Sequence, residues 1–218
     1  MRVILTGDDY GFTSGVNRGF RELFAVGVAM GASVMVGGLA VEEAVAIAKE
    51  QGVTSRCGLH LTLHSLRAGD PYMRKGDYAR LLETASAEEL WGRIEREIEH
   101  FMCFFGHLPA YRDSHQKIHQ HPKVLAFLYP FAVAQGIPLR YVPGLPSAVS
   151  RTAACISGSS LSLAVLYEQL DALQQAGVAS VELVFHPGYV DAPLRQYSQL
   201  LEEREKDREK IRALDQWL

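Results

Sequence analysis

Hydrophobic positions along the chain follow two patterns that alternate from one end to the other. Short apolar runs end at glycine or polar residues, and segments whose apolar positions recur at helical spacing follow most of them. The first example is the run Val3–Leu5, which Gly7 ends and which apolar residues at helical spacing follow from Val16 to Phe24. The pattern predicts strands that alternate with helices along the whole chain.

The predicted elements cover most of the sequence. The helix after Ser86 has the clearest signal, because Ser86 and Glu89 form a capping box before an apolar stripe that ends at Gly106. Strands are predicted for residues 3–5, 32–36, 57–63, 110–115, 139–142 and 180–185, and further helices for residues 16–24, 41–48, 123–135, 162–176 and from Pro193 onward.

Three segments receive separate interpretations. Residues 64–78 lack periodicity, and we expect a functional loop there, a candidate lid over a site. The Gly144–Ser160 stretch is rich in Gly, Ser and Pro and is interpreted as a surface excursion. The long helix from Pro193, which includes Arg204, is charged on its other faces, and we assign no chemistry to it.

Strands alternating with helices predict a parallel sheet, either an open doubly wound one or a closed barrel. Internal repeats and low-complexity linkers are absent from the sequence. We therefore expect a single domain over residues 1–218.

Composition and charge narrow the class of protein. The chain has 218 residues, of which 48% are hydrophobic and 22% charged, as is typical of a folded globular protein. Its formal net charge of -3 provides no basic field for nucleic acid or an anionic membrane, and no apolar run is long enough for a signal peptide or a membrane span. We expect a cytoplasmic protein with a small partner, and the cysteines Cys57, Cys103 and Cys155 are expected to be buried free thiols.

Side chains with acid, base and metal-binding chemistry fall at the ends of the predicted strands. Asp8 and Asp9 follow the first strand, His60 lies in the third, His115 ends the fourth and His186 follows the last. In a parallel α/β barrel all strands deliver their carboxyl ends to one face, so we expect these residues to converge in one pocket.

One carboxylate and two imidazoles suit a divalent ion while leaving positions for water and substrate. Adjacent aspartates point in different directions, so one can be a ligand and the other a base. Each residue also has a structural interpretation: Asp-Asp beside glycine is common in turns, His60 could be a hydrogen-bonded core histidine, and His186 could cap a turn. His119 could begin a helix.

Several short segments occur in a set order: Thr6-Gly7-Asp8-Asp9-Tyr10-Gly11-Phe12 with Asn17 downstream, Gly58-Leu59-His60, Asp113-Ser114-His115 with His119, and His186-Pro187. This ordered set resembles the motifs of the YdjC-like carbohydrate deacetylases, and the resemblance spans residues 3 to about 210. The chain departs from the family pattern where Gly7 replaces an alanine, Tyr10 a phenylalanine and Lys117 the middle histidine of a triplet.

The resemblance implies a distorted, incomplete (β/α) barrel related to polysaccharide deacetylases, one divalent ion, Mg²⁺ or Zn²⁺, an acetylated sugar as substrate, and often a homodimer. Carried over residue by residue, Asp9, His60 and His115 would be the metal ligands, Asp8 the catalytic base and His186 the general acid. Asp113 would orient His115 or His186 as a hydrogen-bond acceptor.

Other functions stay open at this point. A metal-dependent hydrolase of another amide or of a phosphoester is one alternative, and a non-catalytic, metal-stabilised binding module is another. In the candidate lid, Tyr72, Arg74 and Tyr78 could contact a sugar, or they could be ordinary loop residues.

Overall fold

Parallel strands form one six-stranded sheet in the computed structural model, which describes residues 1–218. The strand order is β4-β3-β2-β1-β6-β5, so β1 lies in the middle between β2 and β6. The predicted parallel α/β architecture is confirmed. The strands are β1 (Arg2–Tyr10), β2 (Met30–Val34), β3 (Cys57–Leu61), β4 (Arg112–Ser114), β5 (Ala154–Ser157) and β6 (Ser180–Phe185).

Helices connect the strands and cover the sheet. The predicted capping box is present, since Ser86 and Glu89 exchange side-chain bonds with each other's backbone N–H groups, and Gly106 ends the same helix with a φ of 75°. The helices are α1 (Ser14–Ala25), α2 (Val41–Glu50), α3 (Lys75–Thr84), α4 (Ala87–Phe105), α5 (Pro122–Gln135), α6 (Leu163–Gln175), α7 (Ala192–Tyr197) and α8 (Glu202–Trp217). None of them is both long and apolar enough to cross a membrane.

The sheet curls into a distorted, incomplete barrel, as expected from the resemblance. Beyond β4, Leu139 makes isolated bridges to Arg112 on one side and to Ser150 on the other. The predicted strand at residues 139–142 is therefore wrong. Pro138 and Pro143 flank the segment, and proline has no N–H group to extend a ladder, so pairing stops after a single residue.

Two other segments differ from expectation. The Gly144–Ser160 stretch is more than a surface excursion, because it contains the edge strand β5, which pairs with β6. The long helix from Pro193 is divided into α7 and α8, which the segment 198–201 separates. The Ser198 hydroxyl bonds both the N–H and the carbonyl of Leu200, and such local bonds compete with helix continuation.

The predicted loop at residues 64–78 also contains more regular structure than its sequence pattern indicated. A short 3₁₀ turn forms at Leu66–Ala68, and α3 begins at Lys75. Among the cysteines, Cys57 is buried as expected, whereas Cys103 is exposed and Cys155 is half-buried.

Apolar side chains from both faces of the sheet form a continuous core. Every residue of β2 and β3 is buried, which explains their short and nearly unbroken apolar runs. Helix α1 contributes a stripe at helical spacing, with Val16, Phe20 and Leu23 fully buried. The core thus leaves only the rim of the sheet available for a site.

A buried carboxylate holds the backbone where β3 ends. Glu97 of α4 accepts hydrogen bonds from the backbone N–H groups of Thr62 and Leu63, and Leu63 has a φ of 57°. Burial raises the pKa of Glu97 to about 7, because it outweighs the hydrogen bonds from Thr62 and Leu63 that favour the ionised form. Glu97 therefore fixes the strand end next to His60 while remaining easy to protonate.

We expect Glu97→Gln to remove a pH dependence of stability. A raised folded-state pKa stabilises the fold fully below the unfolded value of 4.5, and this contribution is lost as pH rises through about 7. One pKa unit is about 1.4 kcal/mol, so wild type should lose roughly 3 kcal/mol more than the variant between pH 4.5 and 7.5. Urea unfolding at both pH values measures this, with exposed Glu95→Gln as the control. Parallel pH profiles for wild type and Glu97→Gln would contradict the assignment.

Candidate active site

The carboxyl ends of the parallel strands open into a cavity of about 750 Å³. All five residues singled out from the sequence, Asp8, Asp9, His60, His115 and His186, line this cavity. They come from the ends of β1, β3, β4 and β6, as a parallel sheet requires. The predicted convergence is present in the structure.

An irregularity at the end of β1 explains how two neighbouring aspartates reach the same cavity. The register of β1 against β2 shifts between Gly7 and Tyr10, and Asp9 has a φ of 69°. Bulges of this kind re-aim side chains at strand ends. Both carboxylates are buried, with Asp8 4% and Asp9 2% exposed, and they meet different partners.

The turn that follows β1 is held by Asn17 of α1. Its Oδ1 accepts from the Gly11 N–H at 2.9 Å, and its Nδ2 donates to the Ala40 carbonyl at 2.8 Å and to Glu43 at 3.0 Å. Gly11 has a φ of 92°, a conformation that glycine adopts without strain. The Asn17 in the motif therefore fixes the backbone that carries Asp8 and Asp9.

Asp9, His60 and His115 form a compact donor set. Asp9 Oδ1 lies 3.5 Å from His60 Nε2 and 3.4 Å from His115 Nδ1, and one ligand atom from each residue lies within 4.8 Å of the others. Asp9 Oδ1 and His60 Nε2 are both buried and lack a hydrogen-bond partner. Such orphaned atoms are rare in folded proteins, and a carboxylate with two imidazoles fits a divalent ion.

The other nitrogen of His60 contacts a buried carboxylate. His60 Nδ1 lies 2.6 Å from Asp113 Oδ1, and the Ser33 hydroxyl donates to Asp113 Oδ2. Burial lowers the pKa of His60, but Asp8 and Asp113 outweigh it and raise the pKa to about 10. The carboxylates therefore favour positive charge at this place. Asp113 was expected to orient His115 or His186, and that prediction is wrong, since its partner is His60.

Arg140 neutralises the carboxylates on one side of the site. Its guanidinium donates to both oxygens of Asp8 at 2.7 and 2.8 Å, lies 2.6 Å from Asp113 Oδ2, and approaches Glu182 at 3.4 Å. Burial opposes its charge, yet Asp113 and Asp8 hold the pKa of Arg140 well above its ordinary value. Sequence reasoning missed Arg140, because residues 139–142 were interpreted only as a strand and the charged residue among them was given no role.

Arg204 neutralises the carboxylate of Asp9. It is 1% exposed, and its Nη2 donates to Asp9 Oδ2 at 2.7 Å. Burial would raise the pKa of Asp9, but the positive charge of Arg204 and the neighbouring imidazoles of His115 and His60 hold the pKa well below its ordinary value. The assignment of no chemistry to this helix is thus incomplete. Arg204 stands on the apolar stripe of α8 with Ile211 and Leu214, and that position was the available signal.

His186 is connected to a second buried carboxylate through a serine. Its Nδ1 lies 2.9 Å from the Ser159 hydroxyl, which donates to Asp207 Oδ2, and its backbone N–H donates to the same oxygen at 2.9 Å. Because the Ser159 hydroxyl donates its hydrogen bond to Asp207, its oxygen accepts from His186 Nδ1–H. The nitrogen of His186 that titrates is therefore Nε2. Burial lowers the pKa of His186 below its ordinary value.

The segment after β4 makes a tight turn beside the donor set. Gln116 and Lys117 both have positive φ, and the 3₁₀ segment His115–Gln120 follows β4 directly. His119 is fully buried, with Nδ1 2.6 Å from the Ser114 hydroxyl, and burial lowers its pKa to about 3. It lies within the segment and does not begin a helix. Lys117 lines the cavity, at the position where the family pattern has a histidine.

Aromatic and basic side chains line the mouth of the cavity. The ring centroid of Tyr72, from the predicted lid, lies 5.4 Å from that of Tyr197. The Tyr72 ring also stacks on Phe12, with 6.0 Å between the two centroids. Tyr72 and Arg74 line the cavity, as does Tyr197 of α7. Tyr78 does not, because it is buried within α3, where its hydroxyl contacts His64 at 3.1 Å.

A family model and curated relatives match this chain over most of its length. A family model described as "YdjC-like protein" matches residues 2–214. A chitooligosaccharide deacetylase of Serratia marcescens is 26% identical over 214 residues, covering 89% of this chain and 84% of the relative, and one of Citrobacter koseri is 27% identical with the same coverage.

Solved structures share the fold. An Enterococcus faecalis protein provisionally described as a cellobiose-phosphate cleavage protein superposes with a TM-score of 0.80 at 22% identity, covering 96% of this chain and 90% of that one. A polysaccharide deacetylase from Bacillus cereus superposes with a TM-score of 0.52 at 12% identity, covering 99% and 88%. At these identities the likeness concerns the fold alone.

We expect Arg140→Met to be strongly destabilising. Removing the guanidinium leaves Asp8 and Asp113 buried without their shared cation, and breaking a buried pair typically costs about 3–5 kcal/mol. Arg80→Met is the matched control, because Arg80 is 75% exposed and its pair with Asp77 should contribute less than about 1 kcal/mol. Chemical unfolding of both variants measures the difference, and equal losses would contradict the structural role of Arg140.

Proposed function

Because the chain belongs to the YdjC-like protein family, we propose that it is a metal-dependent carbohydrate deacetylase, which removes the N-acetyl group from an amino sugar or oligosaccharide. The observation that carries this proposal is the buried donor set of Asp9, His60 and His115, with Asp8 and His186 in the same cavity. The names of the relatives from Serratia marcescens and Citrobacter koseri support the deacetylase activity.

The residues of the donor set would hold the ion through Asp9 Oδ1, His60 Nε2 and a ring nitrogen of His115. When bound, a Mg²⁺ or Zn²⁺ ion would polarise the acetamide carbonyl and make a water molecule more acidic. Asp113 orients His60 because its Oδ1 accepts a hydrogen bond from His60 Nδ1–H. This bond directs His60 Nε2 towards Asp9. Asp113 thus holds His60 in the orientation that a metal ligand would need.

Asp8 is the proposed base and His186 the proposed acid. Arg140 holds both oxygens of Asp8, which keeps the carboxylate oriented while its remaining lone pairs can accept a proton from water. His186 would hold the transferable proton at Nε2 and give it to the departing amine, which is otherwise a poor leaving group. Ser159 and Asp207 fix the ring from its other side.

The test is acetate release by purified protein from N-acetylglucosamine, N,N′-diacetylchitobiose and N,N′,N″-triacetylchitotriose, before and after chelation and after addition of Mg²⁺ or Zn²⁺. The proposal requires acetate from at least one sugar, loss of the activity with chelator, and recovery with an ion. Acetate release that chelation leaves unchanged would overturn metal dependence. Ion binding without acetate from any sugar would indicate a binding module, and phosphate release from p-nitrophenyl phosphate would indicate a phosphoesterase.

Variants at the two neighbouring aspartates should separate base from ligand. Asp8→Asn should lower kcat on the order of 10²–10⁴-fold and leave the affinity for Zn²⁺ near the wild-type value, because a positioned base contributes that much to rate. Asp9→Ala should lose the ion itself. Zinc titration and steady-state kinetics on both variants measure the two effects, and equal loss of zinc affinity in both would refute the division of roles.

The pH profile should report His186. The acid must carry a proton, and burial lowers the pKa of His186 below the ordinary value of 6.5. The protonated fraction therefore falls as pH rises through this lowered pKa. We expect kcat/KM to decrease about tenfold per pH unit on the alkaline side of a pKa below 6.5. In His186→Gln this limb should disappear and the rate should drop, whereas exposed His100→Gln should keep the wild-type profile. A limb that persists in His186→Gln would assign the acid to another group.

A further inference from the structure

Arg204 lies deep in the wall of the cavity and makes contacts that a solvated helix residue does not make. Its Nε donates to the Leu200 carbonyl at 3.0 Å, and its Nη2 donates to Asp9 Oδ2 at 2.7 Å and lies 3.4 Å from the Ser198 hydroxyl. The α7–α8 connection is therefore tied through this one guanidinium to the end of β1.

The contact divides the two oxygens of the Asp9 carboxylate. Oδ2 accepts from Arg204, whereas Oδ1 has no hydrogen-bond partner and is the oxygen that lies nearest His60 and His115. Asp9 also has a φ of 69°, a conformation that is uncommon for residues other than glycine. The contact with Arg204 therefore fixes which carboxylate oxygen faces the two imidazoles.

We propose that Arg204 is the positioning residue of the metal site: it holds Asp9 Oδ2 so that only Oδ1 faces the ion. The inference rests on the metal dependence proposed above and extends it to α8, to which the sequence pattern assigned no role. Partners that orient metal ligands typically contribute 10- to 100-fold to metal affinity.

The sign of the effect distinguishes positioning from charge balance. A positive charge close to a cation site weakens cation binding by Coulomb repulsion, so loss of Arg204 through its charge alone would tighten binding. Loss of orientation acts in the opposite direction. Because Arg204 also keeps Asp9 ionised, the affinities are compared at a pH well above the ordinary range of carboxyl pKa values, where a weaker ion affinity in a variant without the guanidinium points to the position of Asp9.

The experiment measures Zn²⁺ affinity by competition with a chromophoric chelator for wild type, Arg204→Met, Arg204→Lys and Arg208→Met. Arg208 is the matched control, because it is a half-buried arginine of the same helix whose guanidinium pairs with Glu22 at 2.6 Å, away from the cavity lining. We expect Arg204→Met to bind Zn²⁺ about 10- to 100-fold more weakly, Arg204→Lys to recover part of the loss, and Arg208→Met to stay within about twofold of wild type.

The visible absorption of Co²⁺-loaded protein adds a readout that a loss of general stability would not move. The spectrum should change in Arg204→Met and be largely restored in Arg204→Lys. Unchanged or tighter Zn²⁺ binding in Arg204→Met would overturn the proposal. If every substitution at Arg204 unfolds the chain while Arg208→Met folds, Arg204 is a folding requirement and the proposal is also overturned. A wild-type protein that binds neither ion would instead overturn the metal dependence itself, and with it this inference.

Discussion

Two buried guanidinium groups make the acidic end of β1 compatible with a folded protein. Asp8 and Asp9 are adjacent, almost fully buried and next to Asp113, and an uncompensated carboxylate in such surroundings costs several kcal/mol. Arg140 compensates Asp8 and Asp113 together, and Arg204 compensates Asp9. Neither arginine belongs to the strands that carry the carboxylates. The site therefore depends on the packing of a loop and of a late helix against the rim of the sheet.

This arrangement also holds several polar groups near the cavity in place from behind. Ser33 and Arg140 hold Asp113, and Asp113 in turn holds His60 at Nδ1. The other ring nitrogen of His60, Nε2, faces Asp9. His186 is held in a separate chain through Ser159 to Asp207. Groups held from behind lose little freedom when a ligand arrives, which is the physical content of a preorganised site. Asp113 and His60 reach the cavity from β4 and β3, whereas His186 reaches it from the end of β6, on the other side of β1.

The sequence was informative where local pattern and topology decide the outcome. Apolar runs of a few residues ended by polar ones located β1, β3 and β6, and parallel pairing then required Asp8, Asp9, His60 and His186 to meet at one rim. Pattern failed where a tertiary contact decides. Arg204 looks like one more charge on a charged helix unless its place on the apolar stripe is weighed, and β5 is a half-exposed edge strand among glycines and serines. The partner of Asp113 could not be predicted from the sequence. His115 is nearer in the chain and His186 follows another strand, but the register of β3 against β4 places His60 directly opposite Asp113.

The distance along the chain between Asp9 and Arg204, 195 residues, makes this ion pair one of the longest-range contacts of the fold. All six strands end before residue 186, so no residue of α8 takes part in a hydrogen-bond ladder of the sheet. The acidic rim is thus closed by an element that the sheet does not need for its own pairing.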